Sequence, residues 1–319
     1  MRDDLIVIGG GIVGAAIALA ASEAGCAVTL IESGLPATGA TGAGMGHLVA
    51  LDDALLALSA RSLELWRALP NREQMEYRNT GTIWIAETED DLPGLREQAI
   101  HLATHQVTSH LLDHREMHAL EPDLADDLPG GLLVPSDATV FAPKAVAYLL
   151  NRAQQAGTRI LLGRKAETLT GGGVRLSGGE RLKGVVVVAT GPSGSGLLPE
   201  LPITPRKGHL VVTERAPSTT THQLVEAGYL YGVHATEVAM VAMNVQPRPG
   251  GQLLVGSSRE PGIHDRAVSS AIVSRMLMRV FRFLPTLRER QAIRIWTGFR
   301  PATPDGLPFI RPGSGAARC

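Results

Sequence analysis

The sequence predicts an α/β protein, with a dinucleotide-binding domain assembled from separated pieces of chain and a β-rich domain inserted between them. Three observations lead there. An apolar run, Leu5 to Ile8, leads into glycines at Gly9, Gly11 and Gly14 and then into an Ala-rich stretch, Ile12 to Ala24. A second apolar run, Ala27 to Ile31, closes on the acid Glu32. In the middle of the chain the continuous β-branched run Val185-Val-Val-Val-Ala-Thr-Gly191 supplies another strand, expected to be covered on both faces.

Strand, helix and strand are in register for a βαβ unit. Gly9 suits a tight turn, Gly11 close approach of a diphosphate, and Gly14 contact of helix on strand. A helix starting at Ile12 and Val13 leaves backbone N–H groups and a partial positive charge for that diphosphate. Glu32 lies 21 residues after Gly11, where a carboxylate accepts from an adenosine ribose. An acid there repels a 2′-phosphate, so NADP is disfavoured. A tight βα turn with an empty crevice is the alternative.

At 319 residues the chain has length for about two domains. A net charge of −1 without a basic block gives no sign of nucleic acid as a partner. Cys26 and Cys319 stand at opposite ends and form neither a disulfide framework nor a metal pattern. The longest early apolar run is too short to span a bilayer, so a cytoplasmic protein is expected, with peripheral attachment at the inner face of a membrane left open.

After Glu32 comes Ser33-Gly-Leu-Pro-Ala-Thr-Gly-Ala-Thr-Gly-Ala-Gly-Met-Gly46, too rich in glycine to pack a core. Glu32-Ser33-Gly34 followed by this stretch resembles the FAD-dependent amino acid oxidase family, which includes glycine oxidase, sarcosine oxidase and D-amino acid dehydrogenases. The resemblance implies a Rossmann-like FAD-binding domain of the glutathione reductase type with an inserted β-rich substrate domain. It also implies that this loop runs along the FAD diphosphate and over the flavin. Ser33, Thr38, Ala43, Gly44 and Met45 are then cofactor contacts.

Asp52 to Leu69 is amphipathic, with Leu55, Leu56, Leu58, Leu63, Trp66 and Leu69 largely on one face. His47 precedes it and could face the flavin or act as a bystander. Thr80 to Ala86 reads as a strand and Glu89 to His105 as a helix interrupted early by Pro93. His101, His105, His110, His114 and His118 recur every four or five residues but are broken by a short strand over Val107 to Leu112, so they read as a solvated surface. Gly131 to Pro135 is a strand, and Pro143 opens a helix reaching Ala156. Short strands follow, including Ala166 to Leu169. By resemblance the backbone at Ala166 meets the adenine, and Thr190 and Gly191 lie near the cofactor.

From Arg206 the chain looks like the substrate domain. Arg206-Lys-Gly-His209 resembles the family's segment, with His209 in place of glutamine, and strands are expected at 210–213, 228–233, 238–245 and 252–255. Tyr229 and Tyr231 would share one face of the second of these. Asn244 stands where glycine oxidase-like chains often carry tyrosine. Ala267 to Leu284 reads as a helix. Trp296-Thr-Gly-Phe-Arg-Pro-Ala-Thr-Pro-Asp-Gly-Leu-Pro308 then resembles the family's second signature, placing the carboxylate-binding arginine on Arg300. A planar guanidinium suits a carboxylate. The alternative is a brace between Arg300 and Asp305. Family members continue for about fifty further residues, so the chain reads as C-terminally truncated.

The resemblance predicts an FAD-dependent oxidoreductase that oxidises the C–N bond of a small amino acid or secondary amine, of the D-amino acid, D-hydroxyproline, glycine or sarcosine type. Hydride would pass to flavin N5 while Arg300 holds the carboxylate. His47 is a candidate for the amine proton, as are His209 and water, and no metal is expected. The electron acceptor, oxygen or a quinone or other electron carrier, is left open. A flavin dehydrogenase of a 2-hydroxy acid, an NAD-dependent dehydrogenase and an incomplete FAD-binding subunit working with a partner remain alternatives. The expected cofactor domain is 1–80, 140–205 and 290–319, and the substrate domain 81–139 and 206–289.

Overall fold

The computed structural model describes residues 3–50, 54–216, 220–231 and 239–310. By its internal contacts the chain divides into two compact units. The first comprises Met1–Gly44, Phe141–Pro205 and Phe299–Cys319, and the second Met45–Val140 and Arg206–Gly298. The stretch 45–80, expected in the cofactor domain, groups with the second unit. Its helix Leu56–Ala68 buries Leu56 and Leu63 in one cluster with Trp84, Leu95, Leu132 and Val134.

The first unit carries a parallel sheet in the spatial order Val185–Val188, Leu5–Ile8, Val28–Glu32, Arg159–Leu162. Ile6 and Val7 of the inner strand are wholly buried, as a two-sided sheet demands. The Val185–Val188 strand departs from expectation. It lies at the sheet edge among the described residues, and Val185 is 58% exposed. β-branched composition suits a pleated strand at the edge as well as at the centre, so composition alone misassigned its cover. Helix Ile12–Glu23 packs on helix Ala142–Gln155, whose first turn contains Pro143. A three-stranded antiparallel sheet, with Ala166–Thr170 at one edge, buries Val174 and Leu176 beside Ile6, Ile8 and Ile31.

The second unit is built on an eight-stranded mixed sheet. In strand Thr82–Ala86, Ile83 and Ile85 face one layer and Trp84 and Ala86 the other, following the period of two. Helix Ser270–Phe283 covers the first layer with Val273, Met276, Val280 and Phe283. Helix Leu92–Thr104 covers the second with Leu95 and Leu102. Pro93 falls in that helix's first turn rather than interrupting it, where its missing N–H costs nothing. The short strand near residue 110 is His110–Asp113, and Asp113 and Glu116 then cap the next helix reciprocally. Gly228–Tyr231 is a helical turn, not the expected strand. No helix among the described residues is long and apolar enough to cross a membrane.

Candidate functional site

In the first unit the site is made mainly by backbone. Gly9 takes φ +115°, and a Cβ there would stand 2.4 Å from the carbonyl oxygen of Ala189. A Cβ at Gly14 would come within 1.9 Å of the Gly9 carbonyl oxygen, so the helix rests directly on the turn. Gly11 differs, because a Cβ there would have only Thr41 Oγ1 nearby, at 3.3 Å. No side chain caps the helix at Gly11 and no acid occupies its first turn, so the positive end of the helix is not neutralised locally. Ile12 N–H donates to Thr41 Oγ1 at 3.1 Å, while the Val13 side chain is exposed.

Glu32 ends the second strand and is held from one side. Its Oε2 accepts from Gly10 N–H at 2.7 Å, and its Oε1 accepts from Gly34 N–H at 2.8 Å and the Ser33 hydroxyl at 3.2 Å. Carboxylate oxygens have about four acceptor sites in all, so capacity remains for a ribose hydroxyl. Thr38 donates to Leu35 O at 2.9 Å, and the loop then makes the helical turn Ala40–Ala43, which Gly44 ends. Thr190 has a buried hydroxyl with no hydrogen-bond partner among the described residues, and its Cα lies 3.2 Å from where a Gly9 Cβ would be. Gly191 follows at φ +57°. Ala166, buried at the head of its strand, pairs with Leu176. An adenine dinucleotide fits this set. Gly11 supplies no cap of its own and keeps a side chain out of the way, Glu32 is fixed by the turn and loop, and Thr190 offers an unused hydroxyl.

The second unit begins at Met45, whose Sδ would lie 3.6 Å from a Cβ at Gly256. His47 follows in a two-residue strand paired with Ala138–Thr139. Its Nε2 is 2.8 Å from Thr82 Oγ1 and 4.0 Å from Asp137 Oδ2. Asp137 is fully buried. Its Oδ1 accepts from Ala50 N–H at 3.0 Å, and its Oδ2 has no hydrogen-bond partner among the described residues. Burial pushes the Asp137 carboxyl up to about 7, against the pull of Thr82, Ala50 and Arg67. Burial drives the His47 imidazole down to about 3. A ring with so low a pKa suits a neutral hydrogen-bonding wall better than a base for an ammonium group.

His209, the other histidine considered for the amine proton, is committed to structure. Its Nδ1 lies 3.0 Å from Ser258 Oγ and 3.1 Å from Glu260 Oε1, and its Nε2 accepts from Ser269 N–H at 3.0 Å, bracing the start of helix Ser270–Phe283. Asn244 is buried and accepts from Gln223 Nε2. Arg300 is half-buried in strand Ala292–Ala302, just past the joint at which the chain leaves the second unit. Asp305 Oδ1 accepts from Leu307 N–H at 3.0 Å.

The family of FAD dependent oxidoreductases matches the chain over residues 4–318. The chain is a member of that family. FAD is accordingly its cofactor, a group that the residues around Gly9, Gly11 and Glu32 fit. Among other members, the glycine oxidase of Geobacillus kaustophilus (strain HTA426) is 28% identical over 97% of this chain and 84% of its own length. The crystal structure of glycine oxidase from Geobacillus kaustophilus superposes with a TM-score of 0.85 at 26% identity, covering 97% of this chain and 85% of that one. A D-amino acid dehydrogenase from Rhizorhabdus wittichii (strain DSM 6014 / CCUG 31198 / JCM 15750 / NBRC 105917 / EY 4224 / RW1) is 29% identical over 74% of this chain and 57% of its own length.

Three site residues escaped the sequence reading. Thr41 was signalled only by lying in the Gly-rich loop. Asp137 was signalled by being a lone acid between the apolar runs on either side, and Thr82 by nothing beyond its place in a strand.

Proposed function

We propose that the first unit holds FAD and the second presents a small amino acid or secondary amine, whose C–N bond is oxidised. When bound, FAD supplies the two-electron acceptor for that oxidation. The observation that carries the reading is the convergence of Gly10 N–H and Glu32 beside a helix start with no acid in its first turn, in a chain that matches its family almost end to end. Glu32 orients the adenosine ribose, Gly11 and Ile12 receive the diphosphate, and the 38–45 loop lies along the cofactor. Arg300 binds the substrate carboxylate and turns a bimolecular encounter into an oriented one. His47, held neutral, forms part of the site wall. The glycine oxidase and D-amino acid dehydrogenase relatives support an amine over a hydroxy acid. A cytoplasmic location and reoxidation by oxygen or a quinone belong to the same reading.

The visible spectrum of the purified protein, followed by anaerobic titration, tests it. Flavin bands bleached by glycine, sarcosine or D-proline, but not by lactate or glycerol phosphate, are expected. Protein that purifies colourless and stays so after FAD is added overturns the cofactor assignment, and bleaching by hydroxy acids alone overturns the amine. Arg300→Ala should lower kcat/KM for carboxylate substrates by about tenfold or more, as loss of a charge-assisted pair implies. Unchanged kcat/KM would leave Arg300 as a brace.

A further inference from the structure

His47, Thr82 and Asp137, all in the second unit, form a chain of hydrogen-bonding groups with two open ends. His47 Nε2 is 2.8 Å from Thr82 Oγ1. Thr82 in turn acts on the Asp137 carboxyl as a hydrogen-bonding neighbour. Asp137 Oδ2 lies 4.0 Å from His47 Nε2 and, though wholly buried, has no partner among the described residues. At the other end, the His47 side chain keeps 13% of its surface exposed. Its Nδ1 makes no hydrogen bond among the described residues and is not one of their sealed polar atoms. A buried carboxyl oxygen and an accessible ring nitrogen are thus joined through one hydroxyl.

Few charges face this chain. Arg67, from helix Leu56–Ala68, acts on Asp137 and donates to Ser136 O at 3.0 Å. Arg248 donates to Val140 O and is paired with Glu76 at 2.7 Å. Ala50 N–H fixes Oδ1 and leaves Oδ2 as the oxygen that can gain or lose a proton. A hydroxyl both donates and accepts, so the chain can run in two directions. With Asp137 neutral, the acid donates to Thr82, Thr82 donates to Nε2, and the proton of the ring sits on Nδ1. With Asp137 ionised, Thr82 donates to the carboxylate, Nε2–H donates to Thr82, and Nδ1 becomes an acceptor. The ring is neutral in both states, as its burial requires. The carboxyl changes state at about 7, so both directions are populated at neutral pH.

We propose that His47 takes a proton from the substrate ammonium group at Nδ1 while its Nε2 proton passes to Thr82 and the Thr82 proton to Asp137. One N–H bond of the ammonium breaks as the N–H bond at Nδ1 forms. Nε2–H breaks as a new O–H forms on Thr82, whose former proton completes the Asp137 acid. The ammonium and carboxylate charges cancel, no electron changes owner, and the substrate is left as the free amine. His47 touches the substrate, while Thr82 and Asp137 act through it. This rests on the amine-oxidation reading, and the experiment separates the two.

The purified flavoprotein is labelled with a heavy nitrogen isotope in its histidine rings, and His47 is identified by the signal missing from His47→Gln. Proton–nitrogen spectra between about pH 5 and about pH 9 then report where the ring proton sits. In the wild type the ring should stay neutral while its proton moves from Nδ1 to Nε2 with a midpoint of about 7. In Asp137→Asn the amide donates permanently to Thr82, so the proton should stay on Nδ1 throughout. Thr82→Val breaks the chain, and the tautomer should no longer follow pH. In parallel, anaerobic flavin bleaching by an amine should speed up about tenfold between about pH 6 and about pH 8, and Asp137→Asn should abolish that rise. A wild-type ring that becomes imidazolium in this range, or a tautomer that does not move, overturns the proposal. So does a tautomer change or a rate rise that survives in Asp137→Asn. Should that variant fail to fold, Thr82→Val decides, and a pH-linked tautomer in it overturns the relay. If the tautomer moves as expected while no amine bleaches the flavin, the amine reading falls and the link from Asp137 to His47 stands.

Discussion

Glu32 and Asp137, each beside a proposed ligand-binding segment, meet their surroundings in opposite ways. Glu32 is only partly buried and receives two backbone N–H groups and a hydroxyl, all from residues 10 to 34. Asp137 is fully buried, receives one backbone N–H at Oδ1, and has no partner at Oδ2 among the described residues. The first arrangement is made by backbone geometry, so its sensitivity is to any atom that changes the path of the chain. The second is made by side chains out of water, so its sensitivity is to protons. One protein thus contains a site that breaks by crowding and a corner that breaks by pH.

The largest expected effect attacks the crowded side. Gly14→Ala places a methyl 1.9 Å from a backbone oxygen and should destabilise the protein by about 3 kcal/mol, measured by urea unfolding, with loss of bound flavin. Gly11→Val sharpens the contrast. Its Cβ meets only the Thr41 hydroxyl, at 3.3 Å, so the fold should survive while flavin retention on gel filtration is lost. Retained stoichiometric FAD would show that the diphosphate does not pass Gly11.

The proton-sensitive corner comes next. An aspartate normally ionises near 3.8, but folding raises Asp137 to about 7, so the native state keeps a proton that the unfolded chain has lost. Its contribution to stability therefore falls as pH rises from about 4 to about 7. His47 behaves in reverse. Its value drops from 6.5 to about 3 on folding, so its contribution is complete above about 6.5 and is lost as pH falls towards 3. Relative to wild type, Asp137→Asn should gain stability between about pH 4 and pH 7, and His47→Gln should gain it as pH is lowered over the same range. Each change should be on the order of 4 kcal/mol by urea unfolding of flavin-free protein. Parallel slopes in both variants and the wild type would mean that neither group titrates as its burial implies.

Smaller changes probe the cradle's fine structure. Glu32→Gln loses the charge that two N–H groups address and should weaken FAD about tenfold in a fluorescence titration. Thr41→Ala removes the acceptor of Ile12 N–H, and a few-fold loss is expected.

The same contrast explains what could be read from the sequence. Gly9, Gly14 and Glu32 are legible because the turn, the helix contact and the ribose acid all belong to one βαβ segment with fixed spacing. His47 and Thr82 stand 35 residues apart and Asp137 lies further along the chain, and only sheet pairing brings them together. No spacing rule anticipates such a set. Val185 shows a different limit, since a β-branched run reports a strand without reporting its neighbours. At Gly228–Tyr231 two tyrosines either side of a leucine look like alternation, yet four residues are too few to distinguish that pattern from one helical turn.

The threading of the two units has an engineering consequence. Their five segments alternate along the gene, with joints at 44/45, 140/141, 205/206 and 298/299. No single cut separates one unit intact from the other, so a domain swap with a relative requires transplanting the two intervening stretches, 45–140 and 206–298, together.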